Sequence, residues 1–259
     1  MAVLASPPPL DALARIAAQF APATAALQED RALQRRVDTK YTCDRALVHQ
    51  ILQGLPAHYA ALPVPSGNLA SYRSLYFDTE DRRCFHDHRR GRRLRHKVRI
   101  RHYPDRELTY LEVKTKRNDV VTDKARRKLR FGAEQLGEAE RGFLRQHVHF
   151  PVEELRPVMR IDFCRLSLVG LHTSERVTID LDLTAEELDG AHRDFGQLAV
   201  FEIKQAPFCV RTPVMRALAT SGLREQSMSK YTIATALLHP ELRQNRLLPD
   251  VRTIERMSK

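Results

Sequence analysis

Residues 95–102 read RHKVRIRH, and this octapeptide alternates cations with other side chains at the two-residue period of a β-strand. Successive side chains of a strand point to opposite faces of its sheet. The cations at the odd-numbered positions from Arg95 to Arg101 would therefore share one face. Val98 and Ile100 would share the other. The pattern predicts a strand with one charged face and one apolar face.

The same alternation recurs in three other segments of the chain. They are YLEVKTK at residues 110–116, RVTIDLD at residues 176–182 and FEIK at residues 201–204. A solvated outer face would explain any one of these segments. Four in one chain indicate a sheet whose charged faces converge on a highly charged ligand, and a string of phosphates fits that description best.

The net charge favours an anionic partner without identifying it. The 259 residues include 43 Lys and Arg against 32 Asp and Glu, a formal charge of +11. Nucleic acid, a phosphometabolite, polyphosphate and a membrane surface all suit this excess. Nucleic acid is disfavoured, because carboxylates are interleaved with the cations and only 7% of the residues are aromatic, with no Trp for base stacking.

The cysteines and the hydropathy favour a reduced protein without a membrane span. Cys43, Cys84, Cys164 and Cys209 form no C-x-x-C pair, so zinc ligation and a disulfide framework are both poorly supported. No run of roughly 18 apolar residues predicts a transmembrane helix, although a membrane partner stays open. The first residues lack the features of a secretory signal, and we therefore expect a cytoplasmic protein.

The remaining patterns predict an α+β domain with a mostly antiparallel sheet. Strands are expected at residues 37–41, 73–77, 94–103, 108–116, 157–169, 176–183 and 198–204. Helices are expected at residues 10–20, 44–52, 134–148 and 212–219, a turn or hairpin at 82–93, and a strand or helix from about Ser229. The domain would span residues 31–240, between an N-terminal arm or helix at 1–30 and a polar tail at 241–259.

The basic strand at residues 95–102 is the strongest functional candidate. Arginine presents a planar fork of donors that matches phosphate oxygens. Side chains two residues apart on a strand lie about 7 Å apart along it. Arg99 and Arg101 can therefore grip neighbouring phosphoryl groups of one chain. The competing interpretation is an exposed basic strand without a ligand.

Two Glu-x-Lys pairs, at residues 112–114 and 202–204, admit two interpretations. The glutamate either neutralises nearby cations or holds a divalent metal that also takes oxygen ligands from phosphates. We rank Glu202 first as a metal ligand, followed by Asp180, Asp182 and Glu112. The histidines lack the spacing of metal ligands, and no glycine-rich nucleotide loop occurs.

In the residues described above, the chain resembles the VTC domain, the polyphosphate-polymerase module of the vacuolar transporter chaperone complex. That module is a CYTH-like triphosphate tunnel metalloenzyme. The resemblance covers residues 33–237 and rests on short motifs in the family's order. They are DTKY at 38–41, SLYFDT at 74–79, KVRIRHY at 97–103, LEVKTKR at 111–117, FCR at 163–165, RVTID at 176–180, FEIK at 201–204 and SKY at 229–231. A basic cluster at 124–128 also lies where the family carries one.

Two of these motifs depart from the family pattern. Asp38 is shorter than the usual glutamate, and Arg36 stands in the place of the superfamily's first acidic residue. Both changes weaken a metal site on the first strand and disfavour plain triphosphate hydrolysis. Phe163 replaces the usual tyrosine, which removes one hydroxyl but leaves Arg165 in place.

The resemblance implies an antiparallel β-barrel, the triphosphate tunnel, with flanking helices. In it, ATP would donate its terminal phosphoryl group to a growing polyphosphate chain with the help of Mn²⁺ or Mg²⁺. The residues that would act on the reacting phosphates are Lys40, Arg99, Arg101, Lys114, Arg165 and Arg176. Those that would bind the substrate are Lys97, Lys116, Arg127, Lys204 and Lys230. The metal ligands would be Glu202, Glu112 and Asp180.

Two alternatives to a polymerase stay open from the sequence. A tunnel triphosphatase or other phosphoanhydride hydrolase would use the same lining. A non-catalytic module would bind polyphosphate or another phosphoanion without turnover.

Overall fold

One mostly antiparallel sheet organises the computed structural model, which describes residues 10–32, 36–65, 67–117 and 122–258. In these ranges its ten strands are β1 (Val37–Asp44), β2 (Tyr59–Ala61), β3 (Leu69–Asp78), β4 (Arg95–Tyr103), β5 (Leu108–Lys116), β6 (Thr122–Leu129), β7 (Arg156–Gly170), β8 (Glu175–Glu187), β9 (His192–Asp194) and β10 (Leu198–Gln205). The helices are α1 (Leu10–Ala17), α2 (Ala25–Asp30), α3 (Arg45–Gln53), α4 (Arg83–Arg90), α5 (Glu138–Arg145), α6 (Pro213–Thr220), α7 (Lys230–Leu238) and α8 (Leu248–Met257).

The strand order is β1-β10-β8-β7-β3-β4-β5-β6, with β2 added to β7 and β9 to β8. The α+β class and the antiparallel sheet are confirmed, whereas a closed barrel is not shown. The path of paired strands begins at β1 and ends at β6, and no register joins those two strands within the described ranges. The sheet is nevertheless strongly curved, since Lys124 on β6 lies in electrostatic range of Asp38 on β1 and Glu202 on β10.

The apolar side of the alternating strands forms the core on the convex face of the sheet. Phe201 and Ile179 are buried in a cluster that includes residues of α1, α3 and α6. Val98 and Ile100 are buried with Leu144 of α5. Because the helices take up the apolar side chains, the charged side chains of the same strands are left on the concave face.

Helix α7 packs on the concave face, where that face becomes apolar. Arg165 and Phe163 lie on one side of β7, and Glu202 and Val200 lie on one side of β10, two residues apart in each case. Phe163 and Val200 are buried in one cluster with Tyr231 of α7. The helix therefore covers the apolar end of the concave face and leaves the charged end uncovered.

The turn or hairpin predicted at residues 82–93 is wrong, because this segment forms α4. The first turn of α4 is capped from the end of the preceding strand: Asp78 of β3 accepts hydrogen bonds from the backbone N–H groups of Cys84 and Phe85 at 2.8 and 3.0 Å. Gly91, with φ of 67°, ends the helix in the left-handed conformation that glycine adopts readily. Arg82, directly before the helix, makes no capping bond with its side chain, and the caps come instead from Asp78 and from Thr79, whose Oγ1 accepts from the backbone N–H of Arg83 at 2.9 Å.

The last two predicted segments, a strand or helix from about Ser229 and a polar tail at residues 241–259, both contain a helix. The element expected from about Ser229 is α7, with Ser229 as its N-cap. The predicted polar tail contains α8, whose Val251 and Ile254 are buried. Across the described residues, the structure contains no helix of the length and apolarity that a membrane crossing requires.

Candidate functional site

The register of β4, β5 and β6 brings one set of predicted residues together. Lys97 lies opposite Lys114, and Arg99 lies opposite Glu112. Lys114 in turn lies opposite Lys124 of β6. Residues opposite each other in an antiparallel pair project from the same face, so these side chains form one charged surface.

A second set lies on the strands at the other end of the sheet. Lys40 of β1 lies opposite Glu202 of β10, and Lys204 lies opposite Arg176 of β8. Arg165 of β7 lies opposite the carboxylate of β8, Asp180. This set also shares one face of the sheet.

The curvature of the sheet makes the two sets face each other. The ammonium group of Lys114 interacts electrostatically with Lys40 and Glu202, and Lys97 interacts with Lys40. We call the resulting charged surface the hollow. Its lining residues are Lys40, Lys97, Arg99, Arg101, Glu112, Lys114, Lys124, Arg165, Arg176, Asp180, Glu202, Lys204 and Lys230.

The start of α7 reaches into the hollow between the two sets. Lys97 Nζ donates to Ser229 Oγ at 2.6 Å, and Lys40 Nζ donates to the backbone carbonyl of Met228 at 2.7 Å. Lys230, the first residue of the helix, forms an ion pair with Asp180. The SKY motif at residues 229–231 thus ties the helix to the basic strands.

Asp180 is the most deeply buried carboxylate of the hollow. It accepts hydrogen bonds from Arg165 Nε at 2.5 Å and Nη2 at 2.8 Å, in addition to its ion pair with Lys230. Burial raises the pKa of this carboxyl, but Arg165 and Lys230 outweigh that effect and hold the pKa below its ordinary value. Asp180 is therefore an anion that orients two cations.

Glu112 plays the same part on β5. It accepts hydrogen bonds from Arg99 Nε at 2.8 Å and from the Tyr103 hydroxyl at 3.1 Å. Burial raises the pKa of Glu112, whereas Arg99 and Arg101 lower it more strongly, to about 2. Both oxygens are engaged by protein donors, which favours the structural interpretation of this glutamate.

Glu202 is held between cations, and in the described residues only one of its two carboxylate oxygens has a protein partner. Its Oε2 lies 2.6 Å from Lys204 Nζ, the one ion pair that the structure gives it among the described residues. Burial raises the pKa of Glu202, and Lys204, Lys40 and Arg165 together lower it well below its ordinary value. The side chain is ionised and its other oxygen is available.

The lysines of the hollow lie close to one another, and the carboxylates near them are too few to balance their positive charge. Burial, followed by Lys114 and Lys40, lowers the pKa of Lys97 well below its ordinary value. Burial, followed by Lys40 and Lys124, lowers the pKa of Lys114 to about 8. A bound polyanion would reverse these effects, so the hollow is suited to bind one.

We expect the affinity for a phosphate chain to fall with rising pH because of Lys114. The free amine loses its proton around pH 8, whereas the bound anion favours the charged form. The dissociation constant for tripolyphosphate should therefore rise roughly tenfold between pH 7 and pH 9. Titration calorimetry at several pH values would measure it. In the Lys114→Arg variant, whose guanidinium stays charged, the rise should be shallower, and equal slopes for both proteins would refute the assignment.

Aromatic rings that the sequence analysis did not single out support these cations. The guanidinium of Arg165 lies 4.8 Å from the Tyr72 ring centre, and that of Arg101 lies 5.3 Å from it. Lys230 Nζ lies 4.6 Å from the ring centre of Phe163. Phenylalanine at 163 thus keeps the cation–π contact without a hydroxyl. The parity of Tyr72 with Ser74 on β3 was the signal that could have found it.

Two predicted residues stand apart from the hollow. Arg127 lies opposite Leu111 on the convex side of β6, with Glu140 of α5 at 3.8 Å, so its predicted contact with substrate is not supported. Asp182 has a φ of 49°, which breaks the alternation of β8, and its carboxylate pairs with Arg45. Lys116 lies opposite Arg95 at the end of β5, on the same face as Lys114.

The oxygen donors of the hollow fit a divalent cation only if the ligand supplies most of its coordination. No group of three or more His, Cys, Asp or Glu side chains is arranged to hold a metal in the described part of the chain. Both oxygens of Asp180 and both of Glu112 accept hydrogen bonds from protein donors, whereas the ion pair of Glu202 with Lys204 occupies only its Oε2. Glu202 is therefore the one carboxylate of the hollow with an oxygen left for a metal. One carboxylate plus phosphate oxygens is a donor set that Mg²⁺ and Mn²⁺ accept.

The comparisons with known proteins concern both the family and the fold. The model of the VTC domain family matches residues 35–239. No curated protein matches the chain. A candidate adenylyl cyclase from Hippeastrum, described as having a dominant triphosphatase activity, is 13% identical, with a TM-score of 0.48 over 76% of this chain and 94% of its own. A candidate adenylate cyclase from Bacillus halodurans is 13% identical, with a TM-score of 0.47 over 75% and 94%.

Proposed function

The chain belongs to the VTC domain family, and we propose that it is a metal-dependent polyphosphate polymerase that transfers the terminal phosphoryl group of ATP to a growing polyphosphate chain. The observation that carries this proposal is the surplus of buried cations in the hollow. Lys97 and Lys114 both have lowered pKa values there. A linear phosphate polymer supplies many negative charges in one extended molecule, and it would neutralise cations that lie on several neighbouring strands.

Phosphoryl transfer needs mainly alignment and charge stabilisation, which fixed cations provide. A terminal oxygen of the acceptor phosphate would form the new bond to the γ-phosphorus, and the bond from that phosphorus to the bridging oxygen of ADP would break. Arg99 and Arg165 are held by carboxylates at 2.6 and 2.5 Å and are pre-oriented for such contacts. The acceptor phosphate is already ionised, so the step requires no general base.

A divalent cation, Mn²⁺ or Mg²⁺, would be held by Glu202 together with oxygens of the phosphates. When bound, it would supply Lewis-acid stabilisation of the charge on the transferred group. Lys40 and Lys204 flank Glu202 and would contact the same phosphates.

One observation disfavours the second candidate function, which is hydrolysis of a phosphoanhydride in the tunnel. Asp38, which stands where the family carries an acidic residue on its first strand, accepts a hydrogen bond from Arg36 Nε at 3.0 Å. A carboxylate engaged in this way is a poor base for activating water. A cytoplasmic location, where ATP is plentiful, stays a prediction.

Incubation of the full chain with ATP and Mn²⁺ tests the proposed function. We expect ADP and long-chain polyphosphate, resolved on a gel and destroyed by a polyphosphatase. Orthophosphate as the sole product would favour the hydrolase, and ligand binding without turnover would favour the non-catalytic module.

Two variants of β6 provide a matched pair for this assay. Lys124→Gln removes a cation of the hollow and should lower the rate, whereas Arg127→Gln alters the convex side and should not. Equal losses in both variants would place the reaction elsewhere.

A further inference from the structure

A second cationic cavity, of about 310 Å³, lies outside the hollow. We call it the outer cavity. It is bounded by α4, the turn after it, β4 and the segment around residue 150, and its lining includes Arg83, Arg92, Arg93, His96, His149 and Phe150. Its volume is at the lower end of the range of small-ligand sites, roughly 300–1,000 Å³. The proposed polymerase reaction makes no use of it.

His96 places a buried and unpartnered polar atom at this cavity. It lies on β4 between Arg95 and Lys97, so its side chain points away from the face that carries the cations of the hollow. The residue is 4% exposed, and its Nδ1 lies 2.9 Å from Thr115 Oγ1. Its Nε2 is buried and has no hydrogen-bond partner among the described residues. A buried ring nitrogen without a partner is unfavourable, so the site would be stabilised by a ligand that bonds to it.

A phosphate group satisfies this nitrogen in either tautomer of the ring. A phosphate oxygen accepts from Nε2–H, and a protonated phosphate oxygen donates to a bare Nε2. Burial, followed by His149, lowers the pKa of His96 to about 4, so the ring is neutral at pH 7 and adds no fixed charge of its own.

The charge of the outer cavity comes from arginines that lack sufficient counter-ions. Arg93 is exposed and forms no hydrogen bond or ion pair with the described part of the chain. Arg83 is placed 5.1 Å from the ring centre of Phe150. Arg92 pairs at 3.2 Å with Asp87, the one carboxylate of the lining. The balance is positive, and guanidinium groups converging on a small cavity match a phosphate in geometry as well as in charge.

We propose that the outer cavity is a second phosphoanion site, separate from the hollow, which takes a small ligand such as orthophosphate or pyrophosphate. The unpartnered Nε2 of His96 and the guanidinium of Arg93 would both contact the anion. The cavity lies behind the same strand, β4, that presents Lys97 to the hollow. The two sites would thus be separated by the thickness of one strand.

Histidine-detected NMR of the full chain, titrated with pyrophosphate, tests this site. We expect the ring resonances of His96 and His149 to shift with a dissociation constant of about 1 mM. The shifts should therefore be saturated by about 10 mM pyrophosphate. In Arg93→Ser, the midpoint of these shifts should rise about tenfold, the loss expected for one charge-assisted contact with phosphate. Arg93 is exposed and unpaired, so this variant should fold normally.

Arg90→Ser is the matched control, since Arg90 is an exposed arginine at the end of α4, three positions before Arg93, that does not line the cavity. Its midpoint should equal that of the unaltered protein. A parallel titration with orthophosphate would show whether a free phosphate suffices or the end of a phosphate chain is needed, and saturation by either anion supports the site.

Two results would overturn the inference. One is the absence of any shift at His96 and His149 while other resonances respond to pyrophosphate. The other is an unchanged midpoint in Arg93→Ser, which would show that the shifts are transmitted from the hollow. Neither result depends on turnover, so failure of this site and failure of the polymerase proposal are distinguishable.

Discussion

Replacement of Asp180 by asparagine should lower the free energy of unfolding by about 3–5 kcal/mol, the cost of removing one partner from a buried ion pair. Asp180 is 1% exposed and is the shared counter-ion of Arg165 and Lys230. The amide would leave two cations in the interior without a negative charge. Urea unfolding at pH 7, followed by circular dichroism, would measure the loss.

Asp123→Asn is the matched control for this experiment. Asp123 pairs with Arg117 at 2.6 Å, but both side chains are more than half exposed. A surface pair of this kind contributes about 0–1 kcal/mol, so the control should be close to the unaltered protein. Equal losses for the two variants would mean that the hollow is as well solvated as the surface.

A polyanion should restore part of the stability that Asp180→Asn loses. A phosphate chain in the hollow would replace the missing negative charge beside Arg165 and Lys230, so tripolyphosphate should raise the melting temperature of the variant more than that of the unaltered protein. A smaller rise in the variant would contradict the placement of phosphate beside these two cations.

The acid sensitivity of the folded protein has the same origin. The pKa of Asp180 is lower in the folded chain than in the unfolded one, because Arg165 and Lys230 favour the carboxylate. Its stabilising contribution is therefore present above the ordinary pKa of an aspartate and is lost as the pH falls through the lowered value. Asp180→Asn should remove this part of the pH dependence.

Glu202→Gln should lower metal-dependent turnover by at least about a hundredfold while most of the binding of tripolyphosphate is kept. The substitution removes the available carboxylate of the hollow and leaves Lys40 and Lys204 in place. The loss of a negative charge should, if anything, strengthen binding of the free anion. Steady-state rates with ATP and Mn²⁺, beside calorimetric titrations without metal, would separate the two effects.

A direct measurement of the metal keeps this prediction independent of activity. The paramagnetic signal of Mn²⁺ in the presence of a non-hydrolysable ATP analogue should report weaker binding to Glu202→Gln than to the unaltered protein. Glu112→Gln is the control, since Glu112 is engaged by Arg99 and Tyr103 and should affect stability more than metal affinity. Unchanged turnover in Glu202→Gln would exclude this residue as the metal ligand.

Most strands and the lining of the hollow were predictable from the sequence, because alternation is a local property. A residue's parity within a strand settles which face it occupies, and Lys97, Arg99 and Lys114 all lie where their parity places them. All but one of the motifs of the family resemblance lie on strands or at their ends, and SKY at residues 229–231 lies at the start of α7. The predicted substrate contact of Arg127 was taken from its place in a basic cluster and not from its parity within β6, and the structure places Arg127 on the convex side.

The features that could not be predicted depend on contacts and backbone conformations that the alternation of a strand does not encode. The helix α4 begins where Asp78, at the end of the preceding strand, accepts its first N–H groups. The ion pair between Lys230 and Asp180 joins residues that are 50 positions apart. The left-handed conformation at Asp182 turns this carboxylate away from the face that alternation assigned to it.

Where a strand is regular, the amino-acid order was sufficient to determine which side chains share a face, since that depends only on the two-residue period; Asp182, where a left-handed residue interrupts the period, is the exception. The folded chain decided which charged faces meet and which carboxylate oxygens are engaged by protein donors. Those outcomes depend on strand order, on sheet curvature and on the entry of α7 into the concave face. Each of these is set by packing among elements that are remote in the sequence, which a local pattern does not encode.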